Sequence, residues 1–189
     1  MQQTPDRDRP ETNIPDLSKA APVGSPYTNE EWKVLVETPV KICRAMMAVS
    51  PAGAIGMSKE IATMRDSFKE ALQATTNPTI QNMGQYLKDQ EKVTGLWQDV
   101  GHVFRDRWDA ANVRQMAIAS CQQAVALLKK ASPQEAQAYK EFVYSTAKRV
   151  AEAAREGGFL GIGASKSNIS EAEQSLLNDV ARALELPRA

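Results

Sequence analysis

From residue 27 onward, apolar residues return every three or four positions in one segment after another, the spacing that gathers them on one face of a helix. The first series is Trp32, Leu35, Val36, Pro39, Val40, Cys43, Met46 and Met47. Thr28 and Glu31 precede it, a pair able to cap the backbone N–H groups that a first helical turn leaves without partners. Pro39 removes one donor from the series. It predicts either a kink there or a second helix capped by Thr38 with Pro39 in its first turn. Ser50-Pro51-Ala52-Gly53-Ala54-Ile55-Gly56 reads as a loop. Ser58 then opens a helix with Ile61, Met64, Phe68 and Leu72 on one face, and Asn77-Pro78 restarts one with Ile80, Met83 and Leu87.

A proline-free stretch follows, from about Val93 to Lys130. Val93, Leu96, Trp97, Val100, Phe104 and Trp108 keep helical spacing, and Val113, Met116, Ala117, Cys121, Ala124, Val125 and Leu128 continue it in a rotated phase. The change of phase places a break at Asp109 to Asn112. Lys129 and Lys130 close the stretch, where cations suit the negative end of a helix. Ser132-Pro133-Gln134-Glu135 combines a cap, a proline at the first helical position and a reciprocating glutamate. The helix it opens carries Tyr139, Phe142, Val143, Ala147, Val150 and Ala154, and Gly157 stops it. A glycine-rich loop (GGFLGIGASKSN) leads to Ser170 and Glu173, another capping pair, before a last helix with Leu176, Leu177, Val180, Ala181 and Leu184. The sequence offers no strand of period two. These patterns predict an all-α protein, a single helical bundle of about six to eight helices over residues 27–189.

Residues 1–26 differ in kind. Five of the ten prolines fall there, among Asp6, Arg7, Asp8, Arg9, Glu11 and Asp16, with little apolar surface to offset the entropy of ordering. They are expected to form a disordered, proline-rich tail that contributes little to stability.

Lys plus Arg and Asp plus Glu each number 23, so the formal charge is zero and no basic footprint for nucleic acid exists. No apolar run approaches the roughly 20 residues that span a bilayer. The start, MQQTPDRDRP, lacks the basic and apolar regions of a secretory signal, and two cysteines make no disulfide framework. A cytoplasmic protein is expected, with Cys43 and Cys121 buried and inert on apolar helix faces.

Candidate chemistry is sparse. His102, the one histidine, has Asp99 and Asp106 on its helix face, half of the acid-x-x-His pattern of metal sites in bundles. A charged surface patch accounts for these three more simply. The loop from Gly158 to Ser165 approaches a phosphate-binding loop, but Ala164 stands where lysine is required and a helix precedes it in place of a strand. No catalytic set, cofactor site or metal site is expected. Phe159, Leu160 and Ile162 in the same loop either plug the end of the bundle or meet a partner or membrane surface; they are the candidate partner-contact residues.

Glu30-Glu31-Trp32 through Pro39, Glu156-Gly157-Gly158-Phe159-Leu160-Gly161 and Ser170-Glu171-Ala172-Glu173 together resemble a group of uncharacterised all-helical bacterial proteins, over roughly residues 28–186. That resemblance implies the bundle and carries no activity. The loop-then-acid runs Gly53 to Glu60 and Gly161 to Glu173 are also faintly similar to the tellurite-resistance TerB helical fold, in which aspartate–glycine loops followed by a glutamate bind metal. Here Pro51 or Ala52 precedes Gly53, and Ser165 to Asn168 precede Glu173. The aspartates are absent, so the resemblance implies the bundle without the metal site. The functional expectation is a non-enzymatic bundle acting through protein contacts, as adaptor or homo-oligomer. A carrier of lipid or another apolar ligand is the alternative. A metal-dependent enzyme using Asp99, His102 and Asp106 ranks third.

Overall fold

The computed structural model describes residues 21–50, 62–63, 65–66, 69–70, 73, 75–84, 110–153 and 169–187. Every regular element among them is helical: α1 (Asn29–Val49), α2 (78–84), α3 (Ala110–Leu128), α4 (Pro133–Ala153) and α5 (Glu171–Ala183), with helical backbone also at described positions between 62 and 73. The all-α expectation holds for the described residues. The expected count of six to eight helices is not matched, and Pro39 supplies one physical reason, because α1 runs through it without dividing.

The helix starts follow the local chemistry. Thr28 Oγ1 accepts from the Glu31 N–H (3.3 Å) while Glu31 Oε2 accepts from the Thr28 N–H (2.9 Å). Ser132 with Glu135 and Ser170 with Glu173 repeat this exchange. Asn77 caps α2 by accepting from the Ile80 N–H (3.2 Å), and its amide donates to the Glu135 carbonyl (2.9 Å), tying α2 to the first turn of α4.

α1 packs most extensively on α3 and next on α4, and α5 closes the bundle against α3, α4 and α1. Leu35, Ile42, Met46, Val143, Leu176 and Leu177 fill the space between them, with Ile80 and Met83 of α2 added at one end. Cys43 and Cys121 are buried and form no disulfide, and burial pushes the Cys121 thiol up to about 12.

A polar knot lies inside this core. In an unbroken helix residue 39 would donate to the Leu35 carbonyl, and proline has no N–H to give. The Tyr139 hydroxyl of α4 donates to that carbonyl instead, at 2.7 Å. One residue away, Thr38 Oγ1 donates to the Val34 carbonyl (2.7 Å) and lies 2.7 Å from Ser120 Oγ of α3. Thr38, Ser120 and Tyr139 are all buried. The backbone group freed by Pro39 is thereby satisfied without water, and three helices are registered at one level.

The end of α5 carries a conformational cost. The Leu186 N–H donates to the Ala181 carbonyl (2.9 Å) and the Glu185 N–H to the Arg182 carbonyl (3.1 Å), the paired bonds of a Schellman cap. Glu185 occupies the left-handed position, with φ of 54°. A Cβ there costs roughly 1 kcal/mol, so Glu185→Gly is expected to raise stability by up to about that much. The gain is less whatever the Lys140–Glu185 ion pair contributes. A higher urea midpoint with an unchanged m-value would show it, and a lower midpoint would refute it.

Candidate functional site

Two surfaces stand out. The first is a cleft of about 300 Å³ bounded by residues 22–27, the start of α1, the start of α2 and the α3–α4 turn. Residues 1–20 of the expected tail lie outside the described residues, whereas 21–26 form an ordered wall. The Ser25 N–H donates to the Pro22 carbonyl (2.9 Å), and Gly24 has φ of 83°, which makes Pro22 to Ser25 a type II turn that favours glycine at its third position. The Ala21 N–H donates to Asn29 Oδ1 (3.0 Å), fastening the turn to α1, and Val23 projects fully exposed at its tip.

Tyr27 and Trp32 belong to the residues that line the cleft and are 5% and 2% exposed, and among the described residues neither the buried Tyr27 hydroxyl nor the buried Trp32 indole N–H has a hydrogen-bond partner. Burial, then the Glu135 and Glu31 carboxylates, pushes the Tyr27 hydroxyl above its usual range, so it stays protonated. At the rim, Lys130 Nζ contacts both oxygens of Glu31 at 2.7 Å. Those bonds, with the Thr28 N–H, hold the Glu31 carboxyl below the usual range.

The second surface is the outward side of α3. This helix carries one charged side chain, Arg114, which turns to α5, pairs with Asp179 and donates to Ser175 Oγ (2.9 Å). Asn112, Gln115, Met116, Ala119, Gln122, Gln123 and Ala126 are exposed and uncharged, and Met116 is 53% exposed. The exposed residues of α1, α4 and α5 include charges: Glu30 and Lys33, Glu141 and Lys148, Glu171 and Arg182. The sequence pattern places Met116 with the core-facing set of α3. The structure turns it outward, because Ala117, Cys121, Ala124 and Leu128 define the buried stripe and Met116 lies to one side of it.

Phe159, Leu160 and Ile162, and likewise Asp99, His102 and Asp106, lie outside the described residues. Neither the cleft nor the α3 face follows from a motif. Val23-Gly24 is the one local signal that marks the turn. No described helix is long and apolar enough to cross a membrane. No family model, curated protein or solved structure matches the chain.

Proposed function

We propose that the protein is a non-enzymatic helical bundle that works through protein contacts, and that it pairs with a second copy through the outward face of α3. The observation that carries this reading is the absence of charge from that face. Interface cores are depleted in charged residues and enriched in methionine, while solvated helix faces are ordinarily charged. On α3 the one cation is occupied by Asp179 on a neighbouring helix, which leaves amides, alanines and Met116 facing outward. A two-fold pairing sets this patch against itself, where neutral residues meet without repulsion. Cytoplasmic residence fits two buried cysteines that form no disulfide.

Sedimentation equilibrium tests the reading. The native chain is expected to be dimeric at micromolar concentration. Met116→Glu, which places two carboxylates near the two-fold axis, is expected to weaken the dimer at least about tenfold. Its helical circular dichroism and thermal midpoint should stay close to the parent's, since the side chain is half exposed. A monomeric native protein, or a Met116→Glu variant that dimerises as before, would overturn it.

A further inference from the structure

Val23 is the most exposed large apolar side chain among the described residues, and it stands at the tip of an ordered turn. A Cβ built at Gly24 would meet no atom within 4 Å, so the turn stands clear of the rest of the fold on that side. Residues 21–26 are small or apolar and carry no charge, and the core begins at the very next residue, Tyr27. We propose that this turn is a processing site, at which an endopeptidase with a small apolar specificity pocket hydrolyses the Val23–Gly24 bond and separates residues 1–23 from the bundle.

The side chains of the turn select both the bond and the class of enzyme. Pockets that hold a cation or an aromatic ring find neither between Ala21 and Pro26. Val23 offers a short branched aliphatic group, the size that a small pocket of the serine-protease type accepts. Proline closes two of the neighbouring bonds, Ala21–Pro22 and Ser25–Pro26, because its ring replaces the N–H on the leaving side. Glycine stands on the leaving side of Val23–Gly24, with no Cβ to obstruct an enzyme. In the cut, the enzyme's serine oxygen adds to the Val23 carbonyl carbon. Its proton passes through the enzyme's histidine to the Gly24 nitrogen as the C–N bond breaks. Water then displaces the serine, which leaves a carboxyl on Val23 and an amine on Gly24.

An extended peptide is what such an enzyme pairs with. Val23 is the first central residue of the type II turn, a position whose backbone is already extended, with φ about −60° and ψ about +120°. The rearrangement therefore falls on Gly24, the residue type least restricted in its backbone. Few bonds oppose it: the Ser25 N–H to the Pro22 carbonyl (2.9 Å) and the Ala21 N–H to Asn29 Oδ1 (3.0 Å). Val23, Gly24 and Pro26 are exposed beforehand, so opening uncovers little apolar surface and needs no unfolding of the helices. The Tyr27 N–H bond to Ser25 Oγ (3.2 Å) and the Thr28–Glu31 cap both stay with the bundle.

The test incubates the full-length protein with pancreatic elastase, a serine protease whose specificity pocket is small, and reads intact masses and new N-terminal sequences. A product beginning at Gly24 is expected, with a thermal midpoint close to the parent's. Val23→Asp is expected to slow this cut at least about a hundredfold, because an apolar pocket excludes a carboxylate, and Val23→Arg to transfer it to trypsin at the same bond. Position 23 projects into water, so the circular dichroism of both variants should match the parent's. The rate should hardly change in urea below the unfolding transition, since local opening exposes little surface. The proposal is overturned if no N-terminus appears at Gly24, if Val23→Asp is cut there as fast as the parent, or if Val23→Arg resists trypsin at that bond. A rate that climbs with urea as steeply as global unfolding would also overturn it.

Discussion

Tyr139→Phe is expected to lower the unfolding free energy by about 1–3 kcal/mol, although it removes one oxygen atom and leaves the ring in place. The Tyr139 hydroxyl is the donor to the Leu35 carbonyl, which Pro39 leaves without its helical partner. Deleting the donor strands that carbonyl in the core. The loss should therefore depend on the proline. In a Pro39→Ala background the alanine N–H reaches the Leu35 carbonyl in the ordinary helical manner, and Tyr139→Phe should cost well under about 1 kcal/mol, because the removed hydroxyl no longer leaves an orphan. Pro39→Ala alone has opposing effects, a recovered hydrogen bond against lost packing at a buried site, so the informative quantity is the coupling between the two changes. Urea unfolding of the parent, both single variants and the double variant measures it. Equal costs of Tyr139→Phe with and without Pro39 would show that the two residues do not act on the same carbonyl.

This pair also marks the boundary of what the chain discloses locally. Thr28 with Glu31, Asn77 before Pro78, Ser132 with Glu135 and Ser170 with Glu173 are legible because each cap is completed within four residues. Pro39 is ambiguous for the opposite reason, since the hydroxyl that makes it tolerable lies 104 residues from the Leu35 carbonyl it satisfies. Glu185 hides its left-handed backbone behind a residue type that gives no sign of it. The Pro22–Ser25 turn is written in Val23-Gly24, but surrounding proline and charge make the segment read as tail. Met116 shows that helical period fixes a face only to within its own width: a residue at the edge of the apolar phase goes inward or outward according to how closely the neighbouring helix approaches. The cleft was beyond sequence reading altogether. Its walls come from three separated stretches of chain, 22–32, 78–82 and 130–135, which only the tertiary fold brings together.

Stability is expected to fall steeply on the alkaline side, between about pH 9 and 12. Burial pushes the Cys121 thiol from 9.0 to about 12, and burial likewise raises the Tyr139 and Tyr27 hydroxyls. Unfolded, a thiol ionises near pH 8.5 and a phenol near 10. Across this range the folded chain keeps protons that the unfolded chain surrenders, so the unfolding free energy decreases as pH rises. The contribution is fully present below the unfolded values and is withdrawn on the way to the folded ones. At about 1.4 kcal/mol per pH unit, Cys121 alone withdraws on the order of 4 kcal/mol over the interval, a large part of a domain's whole stability. Urea midpoints at pH 7 through 11 would trace the decline. Cys121→Ala is expected to begin lower at pH 7, because a buried sulfur is lost, but to decline less steeply from pH 9. Tyr139→Phe should flatten the part above pH 10. Were both variants to run parallel to the parent, the alkaline loss would have to come from other groups, and the buried core would not be holding these protons. The same burial predicts that the Cys121 thiol reacts with alkylating reagents at pH 8 only at the rate of unfolding, since the thiolate that reacts is suppressed in the native state.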